Sequence, residues 1–469
     1  MLAVALLVPA GARAEQPPAG PAAAGAPYRP SPEQQSFLEK LESDTFDFFW
    51  KASPSDTGLT PDRFPGSDVS SVAAVGFALT SYLVGVERGY VTRRDAAART
   101  LSTLRTLWDA PQGPTAEGVA GHKGLYYHFL GGHDGLRFGR SELSTIDTTL
   151  LMAGVLSAQA FFDRADEVER SIRLLADRLY RRVDWAWASS PRRAPLLSMG
   201  WSPEHGLIDV DWGGYNEGML LYVLALGSPT HPIDPRAWDA WTRSYRWEGG
   251  HVAFGPLFGH QYSHVWIDFR GIQDAYMRSK GIDYFVNSAR ATYANRAYSI
   301  ANPGGWRGYG ELVWGLTASD GPLDAAAEAA GSGTPFHAYW ARGAGPGGAT
   351  DDGTIAPTAA GGSVPFAPEV AIPTLVHLRE RFGDRLYGRY GFRDAFNLSY
   401  PDASGDGEGW FDNQYLAIDQ GPILLMIENY RSGFVWNLLK KSPYFVAGLR
   451  RAGFTGGWLG SAPLAAAAH

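Results

Sequence analysis

The chain has 469 residues, of which 45% are hydrophobic and 19% charged, and its formal net charge is -7. This composition is typical of a folded globular protein with a large core, and the absence of a Lys/Arg cluster argues against a nucleic-acid partner. Cysteine is absent, which excludes thiol nucleophiles, zinc–thiolate sites and iron–sulfur centres.

The first 14 residues have the pattern of a secretory signal peptide. An apolar run over residues 1–9 precedes Ala12-Arg13-Ala14, an A-x-A cleavage site; the basic n-region is missing, and a buried helix is the alternative interpretation. We expect a Pro/Ala-rich linker over 15–30, one folded domain over 31–455 and a tail over 456–469. The sequence thus predicts a periplasmic or secreted protein, and no later run of eighteen apolar residues predicts a membrane span.

Helical patterns dominate from residue 31 and come in pairs, one helix apolar all round and its neighbour amphipathic. An all-apolar helix is buried on every side, whereas an amphipathic one faces water on one side, so the alternation predicts an inner and an outer ring: an all-α (α/α)6 barrel. No regular series of strands competes with it. The predicted helices span 31–51, 69–87, 92–108, 144–162, 166–183, 216–228, 235–246, 264–280, 281–301, 364–384, 414–432 and 434–452.

Long loops lie between the helix pairs, and loops longer than about fifteen residues in a compact domain are usually functional. If they gather at one end of the barrel, they form the walls of a cleft suited to a polymer. The loops span about 110–140, 188–215, 247–263, 303–363 and 398–413.

Glu217 ends the aromatic, glycine-rich segment 209–216 and begins an apolar helix. A carboxylic acid placed there is partly desolvated, and burial raises its pKa as a general acid requires. The alternative is a first-turn glutamate that stabilises the helix dipole. Asp147 lies inside another apolar helix, where it is either a hydrogen-bonded structural acid or a group facing the central cavity.

Three further segments combine aromatic and polar side chains. The segment 254–274 carries His260 and His264 four residues apart, half of a metal site that no carboxylate completes, so we expect neither a metal nor a cofactor. The segment 306–322 ends near Asp320, and the segment 410–430 carries Asp412, Asp419 and Glu428. The GxGxxG match at 343–348 follows no strand pattern and predicts no nucleotide site.

Four motifs together resemble the glycoamylase-like domain family, and within it the β-1,2-glucanases of glycoside hydrolase family 144. The resemblance covers about residues 35–455 and implies an (α/α)6 barrel, hydrolysis of β-1,2-glucan with inversion, either within the chain or from a chain end, and Glu217 as general acid. The base that activates water remains open among Asp412, Asp419 and Asp320. The motifs are Gly213-Gly-Tyr-Asn-Glu-Gly218, Phe254-Gly-Pro-Leu-Phe-Gly-His-Gln-Tyr-Ser-His264, Trp314-Gly-Leu-Thr-Ala-Ser-Asp320 and Ile418-Asp-Gln-Gly-Pro-Ile-Leu-Leu-Met-Ile-Glu-Asn-Tyr430.

We therefore expect a glycoside hydrolase, monomeric and free of cofactors, whose partner is an oligo- or polysaccharide and whose catalytic candidates are Glu217, Asp412, Asp419, Asp320 and Asp147. The alternatives are a glycosyl-transferring enzyme on the same glucan and a non-catalytic periplasmic glycan-binding protein; a polysaccharide lyase would need a basic cleft that the sequence does not predict. The side chains expected to stack on sugar rings or bond their hydroxyls are Trp212, Tyr215, Phe258, His260, Gln261, Trp266, Arg270, Trp306 and Trp410.

Overall fold

The computed structural model describes residues 28–245, 250–323, 328, 331, 333–345, 348–401 and 409–460. Helices predominate in this part of the chain, and the predicted signal peptide and most of the predicted linker lie outside it. The described α-helices are α1 (Pro32–Ala52), α2 (Val72–Glu87), α3 (Arg93–Asp109), α4 (Thr145–Phe161), α5 (Glu167–Arg182), α6 (Met219–Gly227), α7 (Ala237–Ala240), α8 (Phe258–Trp266), α9 (Ala275–Lys280), α10 (Tyr284–Ala301), α11 (Pro357–Gly361), α12 (Pro368–Phe382), α13 (Ala417–Arg431), α14 (Phe434–Leu439) and α15 (Pro443–Arg451).

Six helices form a closed inner ring. In chain order these are α2, α4, α6, α8, α11 and α13, and α13 packs back against α2. Between α8 and α11 the ring is joined by Gln261, whose amide nitrogen donates to the carbonyl of Ala359 at 2.8 Å. Residues 72–85 of α2 and all of α6 are buried, as a ring of apolar helices requires.

Six outer helices, α1, α3, α5, α15, α10 and α12, pack against this ring, which confirms the predicted (α/α)6 barrel. Their starts follow capping rules: Ser31 forms a capping box with Gln34, and Thr92 accepts from the backbone N–H of Asp95. The outer partner of α6 is the last helix of the chain, α15, instead of the expected helix at 235–246. That segment is helical only over Ala237–Ala240, because Trp241 is already extended.

Short helix α14 closes one end of the ring. It contacts α2, α4, α8 and α13, and its Trp436 donates from the indole to the carbonyl of His264 at 2.6 Å. Phe434 meets Phe161, the last residue of α4, edge to face. Since these contacts lie at the carboxyl ends of the inner helices, the amino ends are left for the site.

Two predicted helices are divided in the structure. The helix expected over 264–280 is two helices, α8 and α9, the second of which is capped by Asp274. The helix expected over 434–452 breaks before Pro443, which starts α15 at its first turn. None of the helices in the described residues is long and apolar enough to cross a membrane.

The long loops contain short strands that the sequence does not predict, because two or three residues are too few to show a period of two. The largest sheet has five antiparallel strands in the order β3-β4-β6-β7-β8, with Tyr126 opposite Ser144 and Leu143 opposite Trp201. The described strands are β1 (Arg63–Phe64), β2 (Val69–Ser71), β3 (Gly121–His122), β4 (Leu125–Tyr127), β5 (Phe129–Gly131), β6 (Leu143–Ser144), β7 (Gly200–Ser202), β8 (Gly206–Leu207), β9 (Ala318–Ser319), β10 (Trp340–Ala341), β11 (Gly343–Gly345), β12 (Gly348–Thr350), β13 (Thr354–Ile355), β14 (Tyr387–Gly388), β15 (Gly391–Phe392), β16 (Phe396–Asn397), β17 (Trp410–Phe411) and β18 (Tyr415–Leu416).

Candidate active site

A cavity of about 260 Å³ lies at the amino ends of the inner helices. Residues from the starts of α4, α6, α8 and α13 line it, together with the loops before α2 and before β10. Most of the lining surface is apolar, which suits the hydrocarbon faces of a sugar. Acidic side chains are interspersed among the apolar ones. The lining residues include Asp62, Arg63, His128, Asp147, Glu217, Phe258, Tyr262, Ala318, Tyr339 and Ile418.

Glu217 lies in this cavity two residues before α6 begins. Its backbone carbonyl accepts a hydrogen bond from Ser263 of α8 at 3.1 Å, which fixes the start of one inner helix against the next. Its Oε2 atom is buried without a protein hydrogen-bond partner in the described part of the chain. Burial raises the pKa of Glu217 to about 7, and the negative charge of Asp147 adds to the increase. The carboxyl group can therefore carry a proton near neutrality.

Asp147 lies in the first turn of α4 and contributes to the same cavity. Ser144, the N-cap of that helix, donates from its hydroxyl to Asp147 and accepts from the Asp147 N–H. On its other side, His128 Nε2 lies 3.7 Å from Asp147 Oδ1. Of the two interpretations of Asp147, the structure shows both features at once: the acid is hydrogen-bonded and it lines the cavity.

A cluster of four aspartates lies beside the cavity: Asp320, Asp394, Asp412 and Asp419. The carboxyl oxygens of the first three lie within 4.8 Å of one another, and Asp419 shares a carboxyl–carboxyl hydrogen bond with Asp394. Burial, followed by the neighbouring negative charges, raises the pKa of Asp412 and of Asp419 to about 7 and that of Asp394 well above its usual range. Near neutral pH Asp394, Asp412 and Asp419 can therefore carry protons.

Arg63 connects this aspartate cluster to the cavity. Its guanidinium lines the cavity wall and donates to Asp320 Oδ2 at 2.7 Å. The register of β1 against β18 places Arg63 opposite Leu416, immediately before α13, and the neighbouring Asp62 lines the cavity as well. Burial raises the pKa of Asp62, so this residue is another acid at the surface of the site.

The three predicted base candidates, Asp320, Asp412 and Asp419, are brought together, but they are not among the residues that line the cavity in the described chain. They lie just behind its wall, because Asp320 follows Ala318 by two residues and Asp419 follows Ile418 directly. Asp62, by contrast, is itself a lining residue of the cavity.

Tyr262 of α8 lies between the two groups of acids. The charges of both Asp419 and Glu217 act on its hydroxyl, which donates to the carbonyl of Ile418 at 2.9 Å. The cavity wall thus carries a protonatable carboxylic acid, Glu217, together with Asp62 and Asp147, and the aspartate cluster lies behind it. That arrangement can donate a proton to a leaving oxygen and activate a water molecule, the two tasks of an inverting glycosidase.

Arg342 holds the loop that presents Asp320. Its fully buried guanidinium pairs with Asp352 at 2.6 Å and donates to the carbonyls of Ser319 and Asp320. It also donates to the carbonyl of Ala338, next to the cavity-lining Tyr339. One buried ion pair therefore fixes both strands of the β9–β10 hairpin that borders the site.

Among the predicted sugar-contacting residues, Phe258 lines the cavity. Five others are buried and use their polar atoms on the protein itself, so they position the site instead of touching sugar: their hydrogen bonds join Trp212 to Thr145, Tyr215 to His260, His260 to Phe254, Gln261 to Ala359 and Ser363, and Trp266 to Thr80. In each case the polar group completes a contact between neighbouring helices or loops.

Three predicted sugar contacts lie away from the cavity. Arg270 chelates Asp268 and stacks over Trp436, 4.4 Å from the ring centroid, at the closed end of the barrel. Trp306 packs in its loop, where Asn302 bonds its backbone. Trp410 is part of β17, opposite Asn397. These three predictions failed because a sequence pattern of aromatic and polar residues does not indicate whether the residues lie at the cavity or elsewhere on the barrel.

The sequence did not single out Asp62, Arg63, His128, Asp394 and Tyr339. Each lies in a loop or in or beside a strand of two or three residues, where no periodicity indicates a direction. Only the abundance of acids and arginines in glycine-rich loops could have indicated them.

Two groups have the spacing of metal ligands: His128 with Glu142 and Asp147, and Asp320 with Asp394 and Asp412. The first does not fit a metal, because His128 Nδ1 already bonds Glu142 and the ring is protonated, which leaves no lone pair on it. In the second, Arg63 already supplies a cation, 2.7 Å from Asp320. His260 bonds protein groups through both ring nitrogens, so the pair with His264 does not form half of a metal site.

This chain is similar to a known protein family and to several known proteins. A family model for glycoamylase, described as "Putative glucoamylase", matches residues 209–443. A solved structure described as a putative glucoamylase from Bacteroides uniformis superposes with a TM-score of 0.79 at 33% identity, covering 92% of this chain and 100% of that one. An endo-β-1,2-glucanase from Chitinophaga pinensis, solved with sophorotriose and glucose, has a TM-score of 0.77 and 30% identity over 91% of this chain and 99% of its own.

A curated relative is the exo β-1,2-glucooligosaccharide sophorohydrolase (non-reducing end) of Parabacteroides distasonis. It is 29% identical over 450 residues, which covers 89% of this chain and 58% of the relative. The chain therefore spans little more than half the length of that relative. Because the family model matches half of the chain and the Bacteroides structure is similar over its whole length, the chain belongs to the glycoamylase-like family.

Proposed function

We propose that this protein is a glycoside hydrolase that cleaves β-1,2-glucan by inverting acid–base catalysis. The observation that carries the proposal is Glu217, a carboxylic acid with a pKa of about 7 that lines the same cavity as further acids. The names of the Chitinophaga and Parabacteroides relatives, which both act on β-1,2-linked glucose chains, support the substrate.

In this proposal Glu217 gives its proton to the departing sugar oxygen. A general acid needs a pKa near the working pH, and burial supplies it here. Phe258, Tyr262 and Tyr339 border the sugar, since all three line the cavity. Tyr339 is 46% exposed, which makes its ring available to a pyranose face.

The base that activates water is one of the other acids. Asp62 reaches the cavity itself, whereas the aspartate cluster acts through a water molecule behind Arg63. Inverting enzymes separate their two carboxyls by about 6.5–9.5 Å to leave room for water, and a relay through water tolerates a longer path.

The first experiment incubates the purified protein with linear β-1,2-, β-1,3- and β-1,4-glucans and separates the products by chromatography. We expect short β-1,2 oligosaccharides from the wild type only. Glu217→Gln should lower turnover by about 10²–10⁴-fold with an unchanged melting temperature, whereas the exposed Glu117→Gln should behave as wild type. Equal activity on all three glucans, or full activity of Glu217→Gln, would contradict the proposal.

The products also distinguish the modes of action that the sequence left open. A ladder of sizes indicates attack within the chain, and a single disaccharide indicates attack from an end. Incubation with a labelled acceptor separates hydrolysis from glycosyl transfer, because transfer moves the label into longer chains. Tight binding without turnover would indicate a glycan-binding protein.

We also propose that the protein is exported and acts as a monomer. The support for export is the apolar run over residues 1–9 followed by Ala12-Arg13-Ala14. Expression of the full chain in a Gram-negative host should yield a periplasmic product whose mass lacks residues 1–14. A product of full mass in the cytoplasmic fraction would contradict export, and light scattering measures the oligomeric state.

A further inference from the structure

His128 connects two acids in the wall of the cavity. Its Nδ1 lies 2.8 Å from Glu142 Oε1 and its Nε2 lies 3.7 Å from Asp147 Oδ1. The imidazole stacks on Phe129 with the ring centroids 3.9 Å apart. These contacts fix the ring on both edges and on one face.

His128 and the acids around it come from different parts of the fold. His128 lies between β4 and β5; Glu142 precedes β6, and Asp147 begins α4. A third acid, Asp62, acts on the ring from the loop before β1. Two arginines also face these acids, since Arg63 pairs with Asp62 at 3.3 Å and the charge of Arg137 acts on Glu142. In the described residues His128 is the cationic side chain paired with Asp147.

Asp147 transmits the state of His128 to the catalytic acid. Asp147 is the charged side chain that acts on Glu217, where it opposes loss of the Glu217 proton. A positive charge beside Asp147 offsets this effect, since opposite charges attract across a low-dielectric site. The proton of Glu217 therefore depends on whether its neighbour is a free carboxylate or an ion pair.

We propose that His128 is a positioning residue: its imidazole, held between Glu142 and Asp147, fixes Asp147 beside Glu217 and sets the pH above which Glu217 loses its proton. The inference depends on the proposed role of Glu217 as general acid. It assigns to Glu142 and His128 a function in the reaction although neither touches the bond that breaks.

The charge on His128 is maintained across the neutral range. Burial alone would lower the pKa of the imidazole, but the charge of Asp147 and the hydrogen bond to Glu142 exceed this effect and raise the pKa to about 9. Burial likewise would raise the pKa of Glu142, but the hydrogen bond from His128 lowers it. Both partners therefore stay ionised together.

The kinetic test compares two substitutions that differ in charge. In His128→Gln the cation is lost, so Glu217 holds its proton more tightly and the alkaline limb of kcat/KM should move up by about half a pH unit. In His128→Lys the charge is kept, so the limb should return towards the wild-type position even if kcat falls. His133→Gln, at an exposed loop position, is the matched control and should leave the limb unchanged.

A second measurement does not depend on activity. Titration of ¹⁵N-labelled histidines should give an imidazole with a pKa near 9, absent from His128→Gln and lowered by about one unit or more in Glu142→Gln. Titration of ¹³C-labelled glutamates, with Glu217 assigned by its loss in Glu217→Gln, should show the Glu217 pKa rising in His128→Gln.

The outcomes separate the two proposals. If the wild type hydrolyses no glucan, the proposed function fails, and the carboxyl titration alone decides the role of His128. An imidazole that titrates near 6.5, or a Glu217 pKa and alkaline limb that do not move in His128→Gln, would overturn the inference. If His128→Gln does not fold, the imidazole pKa in the wild type and in Glu142→Gln decides in the same way.

Discussion

At the scale of single residues, the site depends on acids that burial keeps protonated. Glu217 is followed by an entirely buried helix, so its carboxyl has little water to stabilise a negative charge. The four aspartates of the cluster add mutual repulsion to burial. Active sites are where such perturbed pKa values concentrate, because catalysis needs groups that exchange protons near neutrality.

The first prediction concerns the pH dependence of activity. Glu217 must be protonated to act, so kcat/KM should fall on the alkaline side of about pH 7, where its pKa lies. On the acid side kcat/KM should fall as the other carboxyls take up protons. Because these carboxyls interact, the apparent pKa of each limb belongs to the coupled groups and not to one residue. A profile measured from pH 5 to 9 should show a maximum near neutrality; activity that keeps rising to pH 9 would contradict Glu217 as the acid.

The second prediction concerns Asp419→Asn. The folded pKa of Asp419, about 7, lies above its ordinary value, so its contribution to stability is present at low pH and is lost as pH rises towards 7. An amide does not titrate, and its oxygen can accept from the protonated Asp394 as the Asp419 carboxyl does. We expect turnover to fall about 10-fold or more, while the melting temperature at pH 8 stays level or rises.

The matched control for this substitution is Asp239→Asn, at an exposed position of α7, which should change neither quantity. Thermal melts at pH 4 and pH 8 separate the two effects, since the difference between variant and wild type should appear only at the higher pH. A lower melting temperature at pH 8 would show that the charge of Asp419 stabilises the fold.

At the scale of elements, the ring depends on close contact between inner helices. Helices α2 and α4 approach backbone to backbone where Gly76 and Gly154 face each other: a Cβ atom on Gly154 would lie 2.1 Å from the Gly76 carbonyl oxygen. Both positions have ordinary helical conformations, so the reason for glycine is space. The amino ends of α4 and α6, which carry Asp147 and Glu217, are placed by this packing.

Gly154→Ala should therefore destabilise the protein although alanine is the better helix former. The propensity gain is about 1 kcal/mol, and the clash is with backbone, which cannot move aside as a side chain can. We expect the free energy of unfolding in urea to fall by about 1–3 kcal/mol. Gly310→Ala, where the added carbon meets open space, should change it by less than about 0.5 kcal/mol; equal effects would contradict the packing argument.

At the scale of the whole molecule, the barrel closes where its first helix meets a late one. Glu42 of α1 and Glu428 of α13 are both fully buried and lie between Arg88 and Arg431. Burial and then the neighbouring Glu428 raise the pKa of Glu42 to about 9. Glu42 therefore retains its proton at neutrality, at the contact between α1 and α13.

Glu42→Gln should reduce the pH dependence of stability. The folded pKa of Glu42 is raised, so its stabilising contribution is full below about pH 4.5 and is lost as pH rises towards 9. Glutamine keeps the shape without titrating, so the melting temperature should decline less between pH 6 and 9 than in the wild type, by about 2 °C or more. Identical declines in both proteins would contradict the raised pKa of Glu42.

The sequence by itself determined the fold class and one side of the site. Buried and amphipathic helices differ in their apolar period, so the inner helices α2, α4, α6 and α13 could be recognised along the chain, and Glu217 stood out because an acid preceded an apolar helix. Boundaries at Pro443 and Trp241 shifted, because a helix end depends on the contacts around it.

Only the tertiary structure decided which side chains face the cavity. Asp394 joins three other aspartates, and His128 meets Asp147, across contacts between segments distant in the chain, and strands of two residues leave no periodic trace of such contacts. The aromatic motif around His260 predicted sugar contacts but instead joins helices, since the same residue types serve burial and binding. The apolar pattern along the chain predicts which face of a helix is buried. It does not predict which segment packs against that face, because that contact forms only on folding.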